Sequence, residues 1–299
     1  MFSRPCRSDV DETGFIIVPV LWILAALATL AVIYSLYARE TALNFVDHDE
    51  RLQAEALAES GVELAAYQLT AHPLVQPVRG QFSFRQGSAA IVVKFRCENS
   101  LIDLNFAPKE VLAGLFVGTG VQREDALAFA DRIIAWRTPL RAGAIDSEAA
   151  LYQVAGGGYG PRHGAFQDTN ELGMVAGLPP ALIDRVLPYF TVYSGQPEVN
   201  VLAAPPQVLA ALPGLTPERL QLLLTIRGNA PQDVMRAQLG MSQSYITLDP
   251  SRANRVTVDV QFPSGRRTRT QADIFLLPGD SEPYRVLSWR EDVPWGDEY

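Results

Sequence analysis

The sequence predicts an α+β chain, on three observations. A charge-free run and the Ala-, Leu- and Glu-rich segment after it make one long N-terminal helix. Two separate stretches, near 81–97 and 254–289, alternate apolar and polar residues as half-buried strands do. Between them lies a helical stretch that repeats a Gly-bearing turn. Of 299 residues, 48% are hydrophobic and 19% charged, which excludes a wholly disordered chain. Against 33 Asp+Glu stand 25 Lys+Arg, a net charge of −8 that argues against a protein coating nucleic acid. With 2 Cys and 3 His, neither a disulfide scaffold nor a Cys- or His-based metal cage is expected.

The first element is a polar leader, residues 1–14, ending in Gly14. Residues 15–37 follow as FIIVPVLWILAALATLAVIYSLY, about 23 residues without a charge, enough to span a bilayer and too long for a cleaved secretory signal. Residues 38–72 continue as an amphipathic helix on the side of the span away from the leader. Leu43, Val46, Leu57 and Leu64 lie near one stripe and are read as contacts to partner helices. The helix is expected to end before His72-Pro73, because the residue before a proline is pushed out of helical geometry. A helix of about 55 residues is roughly 80 Å long at 1.5 Å per residue. The polar leader, Gly14, Phe15 and the uncharged run resemble the signal of type IV prepilins and of the pseudopilins of type II secretion. The resemblance implies cleavage by prepilin peptidase between Gly14 and Phe15 and methylation of the new amine. Counting Phe15 as the first mature residue, the fifth is Pro19, where most pilins carry Glu. A subunit with nothing above it in the filament has no amine for that carboxylate to meet, and a buried unpartnered acid is costly. Proline is tolerated there because first-turn N–H groups lack intrahelical acceptors.

Next, 81–86 and 89–97 form two strands around Gly87-Ser88. The helical region then repeats itself. Ile102-Asp103-Leu104-Asn105 and Val199-Asn200-Val201 each lead through an Ala/Pro step to an apolar helix, a Gly turn and a second helix. The turns are Gly118-Thr119-Gly120 and Pro213-Gly214-Leu215-Thr216, with Thr119 and Thr216 expected to cap the helices that follow. A third, degenerate copy runs from Met174 to Leu187. Each copy resembles a helix-hairpin-helix (SAM-like) unit. Basic and acidic residues balance across the three, so backbone N–H groups at the turns would grip phosphate weakly. Residues 142–169, with Gly156-Gly157-Gly158, read as a long surface loop, since the spacing and Lys of a P-loop are missing. Asp146, Glu148, Asp168 and Glu171 flank it as candidate ligands for a hard cation such as calcium, with plain solvated acids as the other reading.

Past residue 242 the chain turns to strands. Asn254 to Phe262 alternates, Ser264-Gly265 turns, 266–276 returns, and 284–289 adds a further strand. The three make an antiparallel meander expected to pair with 81–97. Arg266, Arg267 and Arg269 read either as an anionic-ligand patch or as a solvated strand edge. His48, His72 and His163 lie apart, and no nucleophile–base pair is found, so no enzyme is expected.

Taken in order, these pieces resemble the general secretion pathway protein K family, the large minor pseudopilin of type II secretion. The resemblance rests on the Gly14-Phe15 site, Pro19, the long helix, Ile102 to Asn105, Ala130 to Arg137, Phe166 to Leu172, the Val199-Asn200-Val201 repeat and the terminal strands. It implies a pilin-like sheet from 73–100 and 243–299, carrying an inserted all-α domain at 101–242. It implies a bacterial inner-membrane protein, single-pass, with its C-terminal domain in the periplasm, at the tip of a pseudopilus and active in protein export. The implied partners are the minor pseudopilins I, J and H, prepilin peptidase and the inner-membrane assembly platform. No nucleic acid and no cofactor are expected, with calcium as a candidate ion that the family is reported to bind. The alternatives are a membrane-anchored helix-hairpin-helix protein for DNA binding or uptake and a type IV pilus tip adhesin.

Overall fold

The structure is a computed structural model that describes residues 17–71, 76–141, 143, 148–154, 158–228 and 245–295, side chains 39–48 excepted. It divides into a first unit, Met1–Ala56, and a second, Leu57–Tyr299. Helix α1 (Ile17–Thr70) supplies every described residue of the first unit and the opening residues of the second. It stops where the sequence places its end, just ahead of His72-Pro73.

The second unit is built on a sheet interrupted by a helical region. Strands β1 (Arg79–Gln86) and β2 (Ala89–Cys97) form a hairpin whose two-residue loop holds Gly87 at φ 60°. A glycine meets that left-handed geometry without steric cost. The chain then leaves the sheet. It forms the two-residue β3 (Ile102–Asp103), α2 (Lys109–Gly118) and α3 (Arg123–Arg137). The short α4 (Ala149–Val154), a 3₁₀ turn at Thr169–Met174, α5 (Pro180–Val186) and β4 (Phe190–Thr191) follow. A second passage brings β5 (Val199–Asn200), α6 (Pro206–Ala210), α7 (Pro217–Ile226) and β6 (Ile246–Thr247). The chain re-enters the sheet as β7 (Ala253–Gln261), β8 (Arg267–Leu276) and β9 (Tyr284–Arg290). The sheet order is β1-β2-β7-β8-β9, antiparallel throughout, so strands from both sides of the helical region are neighbours.

One face of the sheet is apolar. Ile91, Val93 and Phe95 of β2 sit beside Val260, Val258 and Val256 of β7, all buried. Helix α1 covers this face with Leu57, Ala58, Val62, Ala65, Ala66 and Leu69, the pairs of positions that recur each helical turn. Gly61 marks the closest approach. A Cβ there would stand 2.9 Å from Val258 Cγ1 and 3.2 Å from Val93 Cγ2, so only glycine lets the helix lie this near.

The two helical passages are alike in detail. Asp103 Oδ1 accepts from Asn105 N at 2.8 Å, and Asn200 Oδ1 accepts from Leu202 N at 3.0 Å, so each opens on the same side-chain turn. Each Gly turn then reverses the chain at positive φ, 93° at Gly120 and 81° at Gly214. The second helix of each ends in an arginine that reaches back. Arg137 donates to the carbonyls of Leu104 (2.6 Å) and Ala107 (2.8 Å), and Arg227 donates to that of Ala204 (2.6 Å). Each opening strand finds a parallel partner, β3 with β4 and β5 with β6. The two copies meet at Gly114 of α2, where a Cβ would lie 2.9 Å from the carbonyl carbon of Ala211 just past α6.

Three sequence expectations are corrected here. Thr119 does not cap α3. It closes α2, donating from Oγ1 to Phe116 O at 2.7 Å, while Gln122 stands at the α3 N-cap; Thr216 does cap α7, accepting from Arg219 N. The stretch read as one long loop contains α4, because Tyr152 buries its ring 6.0 Å from Trp136, which also stacks on Phe166 at 5.9 Å. Arg269 is not on a solvated edge. It is buried, binds Asp259 through two bonds of 2.6 and 2.8 Å, and lies against the Trp295 ring, since β8 has neighbours on both sides.

Candidate functional site

The first candidate is the apolar start of α1. Ile17–Ala38 has a mean hydropathy of 2.4, and all its side chains are exposed. By length and composition it is able to cross a membrane. Pro19 sits in its first described turn. Gly14 and Phe15 lie outside the described residues, as do the side chains of Leu43 and Val46. Leu57 is buried within the second unit, 6% exposed, so its surface is spent on the chain's own core. Leu64 points the other way, 41% exposed, with Tyr67 one turn on at 70%. The sequence stripe thus mixed two faces of one helix.

The second candidate is the junction between sheet and helical region, where buried polar groups collect. Arg255 Nε lies 2.9 Å from both Glu98 Oε1 and Asp273 Oδ1, and Arg290 Nη2 approaches Asp273 Oδ2 at 3.1 Å. Glu98 also accepts a hydrogen bond from Thr191 Oγ1. Burial pushes Glu98 above the ordinary carboxylate range, and Arg255 only partly offsets it. Burial alone would lower Arg255, but Glu98 and Asp273 together outweigh it and hold the guanidinium above its usual value. Beside this cluster, Asn99 and Ser251 bind reciprocally: Asn99 N donates to Ser251 Oγ at 3.2 Å, and Ser251 N donates to Asn99 Oδ1 at 3.1 Å. Asn99 Nδ2 reaches Asp249 O and Gln196 Oε1. Asp103 Oδ2 accepts from Ser194 Oγ and Gly195 N, both at 2.9 Å. Most of these groups are matched donor to acceptor, while Glu98 Oε1 has only the ion pair with Arg255, and together they fix the exit and return of the chain.

The calcium candidates do not converge among the described residues. Asp168 caps the 3₁₀ turn, accepting from Asn170 N at 2.7 Å, and Glu171 pairs with Arg162 at 2.7 Å while accepting from Gln167 N. Glu148 is half-buried, and Asp146 lies outside the described residues. No group of three or more His, Cys, Asp or Glu is poised to hold a metal among the described residues. Sequence reasoning missed the arginines that close the two repeats. The available signal was the same residue type, Arg137 and Arg227, at the same place in both copies.

Residues 99–195, from the Asn99 junction through the first helical passage to the turn after β4, match the family model described as type II secretion system (T2SS), protein K. Over these residues, about a third of the chain, the sequence is similar to type II secretion protein K. A search of curated proteins gave no match. Among solved structures, the fold resembles a chain of the GspK-GspI-GspJ complex from the enterotoxigenic Escherichia coli type 2 secretion system. The TM-score is 0.60 at 16% identity, covering 83% of this chain and 99% of that one. At that identity the likeness speaks for the fold alone.

Proposed function

We propose that the chain is the protein K-type minor pseudopilin of a type II secretion system, a structural subunit and not an enzyme. It sits at the tip of the pseudopilus, where it initiates or caps assembly and so supports protein export. The observation that carries this reading is the match of 99–195 to the protein K family on a chain that also bears an exposed apolar helix at Ile17–Ala38. The apolar helix anchors it once in the bacterial inner membrane, with the head in the periplasm. Prepilin peptidase cuts after Gly14 and Phe15 becomes the methylated N-terminus. The partners are minor pseudopilins I and J, as in the complex to which the fold is similar, together with H and the inner-membrane platform. The outward Leu64 and Tyr67 of α1 are available for partner helices.

The test is intact-mass spectrometry of the chain from secreting cells, with co-purification. Loss of about 14 residues, blocked by Gly14→Val, and capture of I and J are expected. A mature chain starting at Met1, or a chain that ignores I and J and binds duplex DNA with a steep salt dependence, overturns the proposal.

A further inference from the structure

Two buried carboxylates, Glu98 and Asp273, meet at one guanidinium N–H. Arg255 Nε lies 2.9 Å from an oxygen of each, so the gap between those oxygens is at most twice 2.9 Å, near enough for each charge to disfavour the other. A single N–H serves one of them. It donates to Asp273 Oδ1, and Glu98 Oε1 is left without a hydrogen bond. Asp273 has a second cation in Arg290, whose Nη2 stands 3.1 Å from Oδ2. Glu98 Oε2 accepts instead from Arg255 Nη2 at 3.2 Å and from the Thr191 hydroxyl. Glu98 also feels Arg96 of β2 and the neighbouring Cys97, Asp273 feels Tyr193, and the neutral Gln271 amide of β8 lies 3.2 Å from Arg255 Nε. Burial is the largest influence on Glu98 and raises it. Arg255 pulls it back, Asp273 raises it again, Thr191 and Arg96 pull it back, and the net direction is upward.

We propose that Glu98 and Asp273 hold one proton between them in the folded chain, on Glu98 Oε1, and that this proton latches the helical region to the sheet. The proton goes to the oxygen that lacks a donor, while Oε2 keeps its bonds from Thr191 and Arg255. Asp273 stays charged between two guanidiniums. When the proton leaves, two buried negative charges compete for one N–H. The sheet does not yield to readmit water, because β7 and β8, which carry Arg255 and Asp273, are each paired on both sides. Thr191 belongs to β4, a two-residue strand whose sheet partner is β3 alone. Lifting Thr191 away is the cheaper way to rehydrate Glu98, so β4 opens first. Arg255 and Gln271 line a cavity of about 470 Å³, which gives solvent a route to the pair. The folded chain holds the Glu98 proton more tightly than the unfolded chain does. The latch is therefore fully made below the unfolded pKa and is lost as pH rises through the folded one.

The test uses the full chain in neutral detergent micelles, labelled with carboxyl-carbon-13 glutamate and followed by NMR across pH. Glu98, the resonance absent from Glu98→Gln, should titrate above the exposed glutamates of the same chain. Thr191→Val removes a hydroxyl that favours the charged form, so it should push that resonance higher still. This variant also identifies the resonance should Glu98→Gln not fold. Hydrogen exchange read by mass spectrometry, corrected for its intrinsic pH dependence, supplies the second readout. Peptides spanning 188–194 should lose protection as pH rises in the parent and keep it in Glu98→Gln, while β7 stays protected in both. A Glu98 resonance at or below the exposed glutamates overturns the proposal. So does a Thr191→Val variant that leaves the resonance in place or lowers it, or the same pH-dependent loss of β4 protection in parent and Glu98→Gln.

Discussion

Replacing Gly114 by alanine tests the contact between the two helical repeats. Within an exposed helix the change favours the folded state by about 1 kcal/mol, because glycine gives up more backbone freedom. Here the new methyl meets backbone. Its carbon would stand 2.9 Å from Ala211 C and 3.1 Å from Ala211 Cα, and closer still to the Ala211 carbonyl oxygen. Ordinary carbon contacts lie at about 3.5–4.0 Å, so the end of α6 has to retreat by at least about half an ångström. Main chain cannot rotate out of the way as a side-chain tip does, which puts the cost near the upper end of the roughly 1–3 kcal/mol range for overpacking. The net expectation is a loss of about 2 kcal/mol, a fall in Tm of roughly 4–8 °C. Near-UV circular dichroism of the full chain in detergent follows the loss of the head's aromatic packing, which Phe116, Trp136 and Tyr152 dominate as buried rings. Gly118→Ala is the internal control, at the last residue of the same helix with nothing within 4 Å of its Cβ. It should raise stability by about 0.4–1 kcal/mol. If Gly114→Ala melts at or above the parent while Gly118→Ala behaves as expected, the close packing of the repeats is wrong.

Two further outcomes follow from buried groups. Asp103→Asn should cost about 1–3 kcal/mol, because an amide NH₂ would face donors that now reach both carboxylate oxygens, Asn105 N on one and Ser194 Oγ with Gly195 N on the other. Burial also raises the Asp103 pKa in spite of those donors, so the folded chain holds this proton more tightly than the unfolded one. Its contribution is fullest below the unfolded pKa and is lost as pH rises through the folded one; Asp103→Asn should flatten that slope of the unfolding free energy, and an unchanged slope refutes it. Cys97 is buried and its thiol is pushed up to about 12, chiefly by burial and then by Glu98. At pH 8 only about one in ten thousand would be thiolate, so peptide-level mass spectrometry should find Cys97 alkylated after unfolding and untouched before; quick labelling of the native chain sinks this.

Sequence periodicity was sufficient for the elements whose signal is local. The alternation from Asn254 to Phe262 is strand β7, and the repeated Pro-helix-Gly pattern marks two helical passages in register with one another. What escaped depends on which face turns inward. Leu57 and Leu64 share one hydrophobic helix, but α1 rests on Val93 and Val258, and that contact sends Leu57 in and leaves Leu64 out. Thr119 beside a glycine reads equally as the end of one helix or the start of the next, and only the carbonyl of Phe116 decides. Arg269 looked solvated because its partner, Asp259, sits on the neighbouring strand across a turn. Helix α4 has 6 residues, too few for any period to emerge, and it exists because Tyr152 has Trp136 to pack on.

The reciprocal Asn99–Ser251 pair gives the molecule a mechanical property. The helical region hangs from the sheet by two chain segments, and these are bonded to each other side by side, with Glu98 and Arg255 clamped beneath. A push or pull on the helical region therefore acts on the two segments as a bonded pair and not on either one alone. Both segments sit at the same end of neighbouring strands β2 and β7, so the load enters through the middle of the sheet and away from its edges. The head is jointed like a stiff bracket: force applied to it is carried into the strands that rest on α1 before either tether can stretch alone.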